Sequence, residues 1–193
     1  MSGASTPAHT FMLPLARDAC PPSAWPVLST LGPRPPPRPL PAAVPPGADP
    51  RVFVFNGGNL LFRCGAGMVP RLLELGLSLE HRDERGRTPL LHACEQEDED
   101  MVTALLEAGA SAAAADKDGA TALHLVVKGG PWWDDGDVLR KLVQEHGVPV
   151  DVRDADGWTP LHTAAAYGRG FNANALLDLG TDVGARSNMG NKD

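Results

Sequence analysis

A chain of 193 residues is long enough for one ordinary domain, and its 17 basic and 24 acidic side chains leave a formal net charge of −7. Residues 1–50 hold 14 of the 19 prolines, whereas residues 51–193 hold 14 basic against 22 acidic side chains, a net of −8. An acidic body repels phosphate backbones, so nucleic acid is not expected as its partner. No apolar run approaches the roughly 18 residues that a membrane span needs, and no membrane role is expected. Three cysteines, Cys20, Cys64 and Cys94, are an odd number without metal-ligand spacing. Neither a disulfide framework nor a zinc site is indicated, and reduced thiols suit the cytoplasm, with the nucleus as a further compartment.

Residues 1–50 lack the apolar periodicity of a core, and proline removes backbone donors and fixes φ. The reading is a disordered, proline-rich tail. Phe11 to Ala16 is a short apolar stretch broken by Pro14, which does not suit a targeting helix. Gly32 to Pro41 should populate polyproline II. Within it, Pro33-Arg34-Pro35-Pro36-Pro37-Arg38 fits the PxxPxR pattern that SH3 domains read. A semi-extended tail without a receptor is the competing reading, and short proline motifs recur by chance in such tails.

Composition turns globular near residue 51. Arg51 to Phe55 precedes a turn signal, Asn56-Gly57-Gly58-Asn59. A hairpin would fit locally. The reading preferred here is an entry segment into a degenerate capping unit, residues 51–82. The reason is Leu72-Leu73-Glu74-Leu75-Gly76, which lies 33 residues before Leu105-Leu106-Glu107-Ala108-Gly109 and returns as Leu176-Leu177-Asp178-Leu179-Gly180.

Three copies of a second pattern follow. Asp83 to Arg87, Asp116 to Ala120 and Asp154 to Trp158 each read Asp-x-x-Gly-x, and each leads into TPLL, TALH or TPLH starting at Thr88, Thr121 and Thr159. The threonines are 33 and then 38 residues apart. Such a period marks a stacked repeat array. Each copy reads turn, helix, loop, helix. Thr is a good N-cap, Pro at the first helical position loses no hydrogen bond, and Gly168 and Gly180 can end helices in the left-handed conformation. The units run 83–115, 116–153 and 154–186, with 187–193 opening a further turn, since Gly190 lies 33 residues after Gly157. An array ending there lacks an outer cap, and a fragment, a short isoform or an incomplete gene model is expected.

The three registered copies, DxxGxTPLHxA followed by LLxxG, resemble ankyrin repeats. Asp154 to Ala164 matches that pattern throughout, and the resemblance covers roughly residues 58–190. It implies an all-α solenoid of helix-turn-helix pairs with β-turn fingers along one edge, and a role in protein–protein binding or scaffolding. It also implies that His124 and His162 are structural, bonding the turns. Several residues depart from the pattern. Leu91 stands in the histidine slot with His92 displaced by one, Glu97 replaces the loop glycine, and Val126 fills an alanine slot. Five extra residues fall mostly between Gly129 and Asp137, and Asn172 lies near an apolar position, which predicts a loose last helix.

Catalytic patterns are missing: the sequence has no GxSxG, P-loop or HExxH. Asp154 to Gly157 resembles part of a calcium loop, but Val152 and Thr163 would hold the end positions and cannot serve. Asp134-Asp135-Gly136-Asp137 reads as a solvated loop with a helix cap at Asp137 rather than a cation site. No enzyme activity, cofactor or metal is expected.

Binding should then reside in variable positions. The resemblance makes these the finger residues and the exposed side of each first helix: Glu84, Arg85, Arg87, Lys117, Asp118, Asp156, Trp158 and Tyr167, together with the inserted Trp132 and Trp133. Trp and Tyr are over-represented in binding hot spots. The expected partner is another protein, held by finger tips and concave face. The alternative is the N-terminal regulatory or targeting part of a longer protein, such as an enzyme, channel or ubiquitin-ligase adaptor.

Overall fold

The computed structural model describes residues 57–129 and 136–188. The proline-rich tail, the SH3-type motif, Trp132 and Trp133 lie outside these residues. The described residues carry seven α-helical segments and no strand ladder, so the all-α expectation holds for them.

Helices pair in chain order. The capping unit replaces its first helix with a single 3₁₀ turn, Leu60–Phe62. A second 3₁₀ turn, Ala66–Met68, leads into α1, Val69–Glu74. The full units follow as α2, Pro89–Glu95, with α3, Glu99–Glu107; α4, Ala122–Lys128, with α5, Asp137–Arg140, which runs on into one π-helical stretch, Lys141–Glu145; and α6, Pro160–Ala166, with α7, Gly170–Asp178. Successive first helices pack on one another, α2 on α4 and α4 on α6. One apolar cluster runs through all units, from Leu61 and Val69 through Leu105 and Leu139 to Leu176. A helix pair this short buries too little alone, and stacking supplies the core.

Local chemistry starts each first helix. Thr88 and Thr159 accept the N–H groups of Leu91 and His162 on their hydroxyls, each such cap being worth about 1 kcal/mol. In the capping unit Asn59 does the same for Leu61 and donates its amide to the Ser78 carbonyl at 3.0 Å. Asp98 caps α3 by accepting the Met101 N–H, and Glu99 and Asp100 follow in the first turn, where the helix dipole favours acids. Asp98 to Asp100 therefore form an ordered helix start. At the insertion the cap is Gly136 rather than Asp137. Asp137 is the first helical residue and pairs with Arg140.

Two departures from the repeat pattern carry strain or a polar cost. Glu97 has φ +58°, the one left-handed residue other than glycine among those described. Asn172 falls in the register of Met101, each four residues before the first leucine of its LLxxG. It is fully buried, and neither amide atom has a hydrogen-bond partner. Its helix is nonetheless regular over nine residues. Stacking decides this, because the neighbouring α5 and α6 both pack on α7.

Two stability predictions follow from these sites. Glu97→Gly should raise the unfolding free energy by roughly 0.5–1 kcal/mol by relieving the left-handed penalty, whereas Glu97→Ala should give no such gain; urea denaturation of both checks this. Asn172→Met, which copies the first unit, should add about 1–2 kcal/mol by removing unsatisfied buried polar atoms. A lower midpoint with an unchanged m-value would contradict that.

Candidate functional site

Each finger is built on one carboxylate oxygen. Asp83 Oδ1 accepts the N–H groups of Arg85 and Arg87 at 2.9 and 2.8 Å. Asp116 Oδ1 does so for Asp118 and Ala120, both at 2.9 Å, and Asp154 Oδ1 for Asp156 and Trp158 at 3.0 and 2.8 Å. The Asp N–H returns to the carbonyl four residues on in every copy, at 3.0 Å. Glycine is obligatory at the tip. Gly119 has φ +74°, and a Cβ there would meet the Ala155 nitrogen of the next finger at 2.7 Å. The fingers are laced in series: Lys117 N–H donates to Arg85 O, Ala155 N–H to Asp118 O and Asn188 N–H to Asp156 O, at 3.0–3.1 Å.

His124 ties helix to finger. Its Nδ1 faces both the N–H and the hydroxyl of Thr121, and its Nε2 lies 3.0 Å from the Trp158 carbonyl oxygen. Two donors at Nδ1 and an acceptor at Nε2 fix the neutral tautomer with hydrogen on Nε2. Burial holds its pKa below the usual histidine value, although the Trp158 carbonyl and two aspartates pull the other way. His162 repeats the bonds to Thr159. Both histidines are therefore framework.

The first full unit solves the same problem differently. Leu91, in the histidine slot, is fully buried. Arg87 turns inward: its side chain is only 11% exposed, it grips Asp83 Oδ2 through Nε and Nη2 at 2.8 and 2.6 Å, and its Nη1 pairs with Glu95. Burial alone would raise the Asp83 pKa, and the bonds from Arg87 overcome this and hold it below the usual carboxylate value. The sequence placed Arg87 among exposed binding residues. The structure places it inside the finger as a clamp between finger and α2.

The other candidates divide by exposure. Arg85, Lys117 and Asp156 stand exposed on successive fingers with Glu84 and Asp118. Trp158 is half-buried, its ring tilted against His162 at 6.4 Å and its Nε1 enclosed without a hydrogen-bond partner. Tyr167, at the far end of α6, is exposed with the Lys128 ammonium 5.7 Å from its ring centre. Trp158 and Tyr167 thus sit at opposite ends of one helix.

Phe171 and Leu177 were not singled out from the sequence. Phe171 is 57% exposed because its neighbour Asn172 takes the inward register. Leu177 is 44% exposed where its counterpart Leu106 is 3% exposed. Counting back from LLxxG would have found Phe171, whose counterpart Asp100 is exposed, whereas the register of Leu177 is that of the buried Leu106. Among the described residues no group of His, Cys, Asp and Glu could hold a metal ion. Cys94 is enclosed, and burial pushes its thiol up to about 12.

Stacked helix pairs with laced β-turn fingers define a helical repeat solenoid. A family model of ankyrin repeats, in three copies, matches residues 60–133 and 115–187, and the chain belongs to the ankyrin-repeat family. It is similar to the human SH3 and multiple ankyrin repeat domains protein 2, 33% identical over 64% of this chain and 6% of that protein. It is also similar to zygote-specific protein 3 of Chlamydomonas reinhardtii, 32% identical over 79% of this chain and 36% of that protein, and to mouse NF-kappa-B inhibitor delta, 33% identical over 53% and 30%. The chain therefore spans about a third or less of the length of these relatives.

Arg87→Ala should cost about 3 kcal/mol, because it leaves Asp83 buried without its counter-charge; thermal unfolding measures it. Acid should act through His124. Its folded pKa lies below the unfolded value of 6.5, so its contribution is full above pH 6.5 and is lost as pH falls through the folded pKa, at up to about 1.4 kcal/mol per pH unit. Stability profiles of the wild type and His124→Gln should run parallel above pH 6.5 and approach each other below it, the variant showing the flatter slope.

Proposed function

We propose that this chain is a non-enzymatic protein-interaction module that binds another protein through its finger tips and the exposed side of its first helices. Ankyrin-repeat relatives are typically interaction modules, and that coarse role is the starting point. The observation that carries the reading is a division of labour along the repeats. The polar groups common to the copies, Asp83, Asp116, Asp154, Thr121 and His124, are consumed by the framework. The two residues at each finger tip that differ between copies, Glu84-Arg85, Lys117-Asp118 and Ala155-Asp156, remain exposed. Tyr167 adds an aromatic anchor with an adjoining cation, the chemistry common in hot spots. Trp158 contributes its ring edge, and the Trp132-Trp133 pair belongs to the same proposal on sequence grounds. The Pro33–Arg38 motif offers a separate contact to an SH3-type domain, and the setting proposed is the cytoplasm, with the nucleus also accessible.

The test is affinity capture with the intact chain, comparing wild type with the combined variant Lys117→Glu, Asp156→Lys, Tyr167→Ala, and with Trp132→Ala, Trp133→Ala. Captured partner should drop at least tenfold while helical circular dichroism is retained. Equal capture with intact folding overturns the surface assignment.

A second reading rests on the exposed Phe171 and Leu177 of the last described unit: the repeats are the regulatory or targeting part of a longer protein, such as an enzyme, channel or ubiquitin-ligase adaptor. The apparent mass of the endogenous protein, detected with an antibody to the repeats, separates the two; a species matching 20.3 kDa alone removes the second.

A further inference from the structure

α7 turns an almost uncharged side outward. Gly170, Phe171, Asn174, Leu177 and Asp178 are all exposed, and at about 3.6 residues per turn they form one stripe along the helix. Asp178 is the single charge within its nine residues. The stripe is also palindromic. Phe171 and Leu177 stand three residues either side of Asn174, and Gly170 and Asp178 stand four either side. Two copies that each carry a net charge of −7 repel one another, so self-association needs a surface where charge is this sparse.

The two ends of α7 complement each other. No side chain caps its start, no acid occupies its first turn, and the N-cap residue is Arg169, so this end is positive. Asp178 closes the helix, where no basic residue offsets the negative end of the dipole. An antiparallel copy of the same helix would satisfy both ends at once. The equivalent helix of the first unit could not pair in this way. α3 is capped by Asp98, carries Glu99 and Asp100 in its first turn and ends in Glu107, so an antiparallel copy would set acid against acid.

We infer that the chain pairs with a second copy of itself through this stripe, the two α7 helices running antiparallel about a two-fold axis at Asn174. Phe171 of either copy then covers Leu177 of the other, and the two Asn174 amides meet on the axis. Asp178 of each copy reaches the uncapped start of the other's helix. A two-fold contact requires such reciprocity, and interface centres are poor in charge and rich in aromatic residues. One short helix buries less than the ~800 Å² per partner of a standard interface, so the pair forms and separates with concentration. The second reading above assigns Phe171 and Leu177 to a longer chain. Chain length is read in denaturant and pairing in native buffer, so either assignment can fail while the other stands.

The test is sedimentation equilibrium of the intact chain from about 10 µM to about 1 mM, where the mass should rise from 20.3 kDa toward twice that value. Phe171→Glu and Leu177→Glu alter exposed side chains, so the fold is retained, and each should lower the association constant at least tenfold. Asp178→Lys should weaken pairing as well. A lysine suits the end of its own helix better than an acid does, so lost pairing there is not lost folding, and circular dichroism checks this. Met68→Glu, on the capping unit and 50% exposed, should leave pairing unchanged. Asn174→Cys reads the register: under mild oxidation it should form an intermolecular disulfide in excess of the wild type. The proposal is overturned if the mass stays at 20.3 kDa throughout, the outcome if a different protein or a further helix pair is what covers the stripe. It is equally overturned if Met68→Glu separates the pair as the stripe variants do, or if the Asn174 variant cross-links no more than the wild type.

Discussion

One carboxylate oxygen accepting two backbone amides is the constraint on which this molecule is built. At Asp83, Asp116 and Asp154 it bends the chain into the same finger, and the bend delivers the following threonine to the start of a helix. Helix direction, the close approach of successive units and the lacing of one finger to the next all follow. Removing the carboxylate would release two donors at once, and each buried donor left unsatisfied costs about 1–3 kcal/mol. The apolar core is larger in sum, but it is non-directional. It stabilises whatever arrangement the fingers impose.

The framework tolerates more than one solution at its second layer. In the second full unit a neutral histidine joins helix to the next finger, while in the first a leucine fills the slot and an arginine clamps finger to helix through Asp83 and Glu95. One is a neutral hydrogen-bonded solution and the other an ionic one. The ionic one keeps a charge pair out of water, which is expensive unless every bond is made. Here Asp83 uses Oδ1 for the backbone and Oδ2 for the guanidinium, so its acceptor capacity is spent well.

Most of the fold was legible because its signals are local and repeated. Asp-x-x-Gly and Thr-Pro-Leu-His each describe a hydrogen-bonded geometry within a few residues, and three copies in register remove chance. What was not legible depends on residues distant in sequence. Arg87 reads as exposed until Glu95 is seen to lie beside it, across a helix start. Asn172 suggests a frayed helix until its neighbours are seen to hold it. Phe171 reads as core by composition, and only the register of the following leucines turns it outward.

The finger row is fastened from alternating sides. Arg82 spans the Gly86 and Ala115 carbonyls, joining the first two fingers, and Arg153 spans Gly157 and Arg186 beyond the third. The residue between them in this series is Ala115, which has no such reach, and there the fastening passes inward to His124 beneath the fingers. The row accordingly has unequal compliance along its length. Bending at either end exchanges an exposed arginine bond for water at little cost, while bending in the middle must open a more enclosed bond, made by a histidine that is 3% exposed. A partner laid across all three fingers would meet a rigid centre with adjustable flanks, so shape matching would be strictest around Asp118 and Ala155 and most forgiving near Arg85.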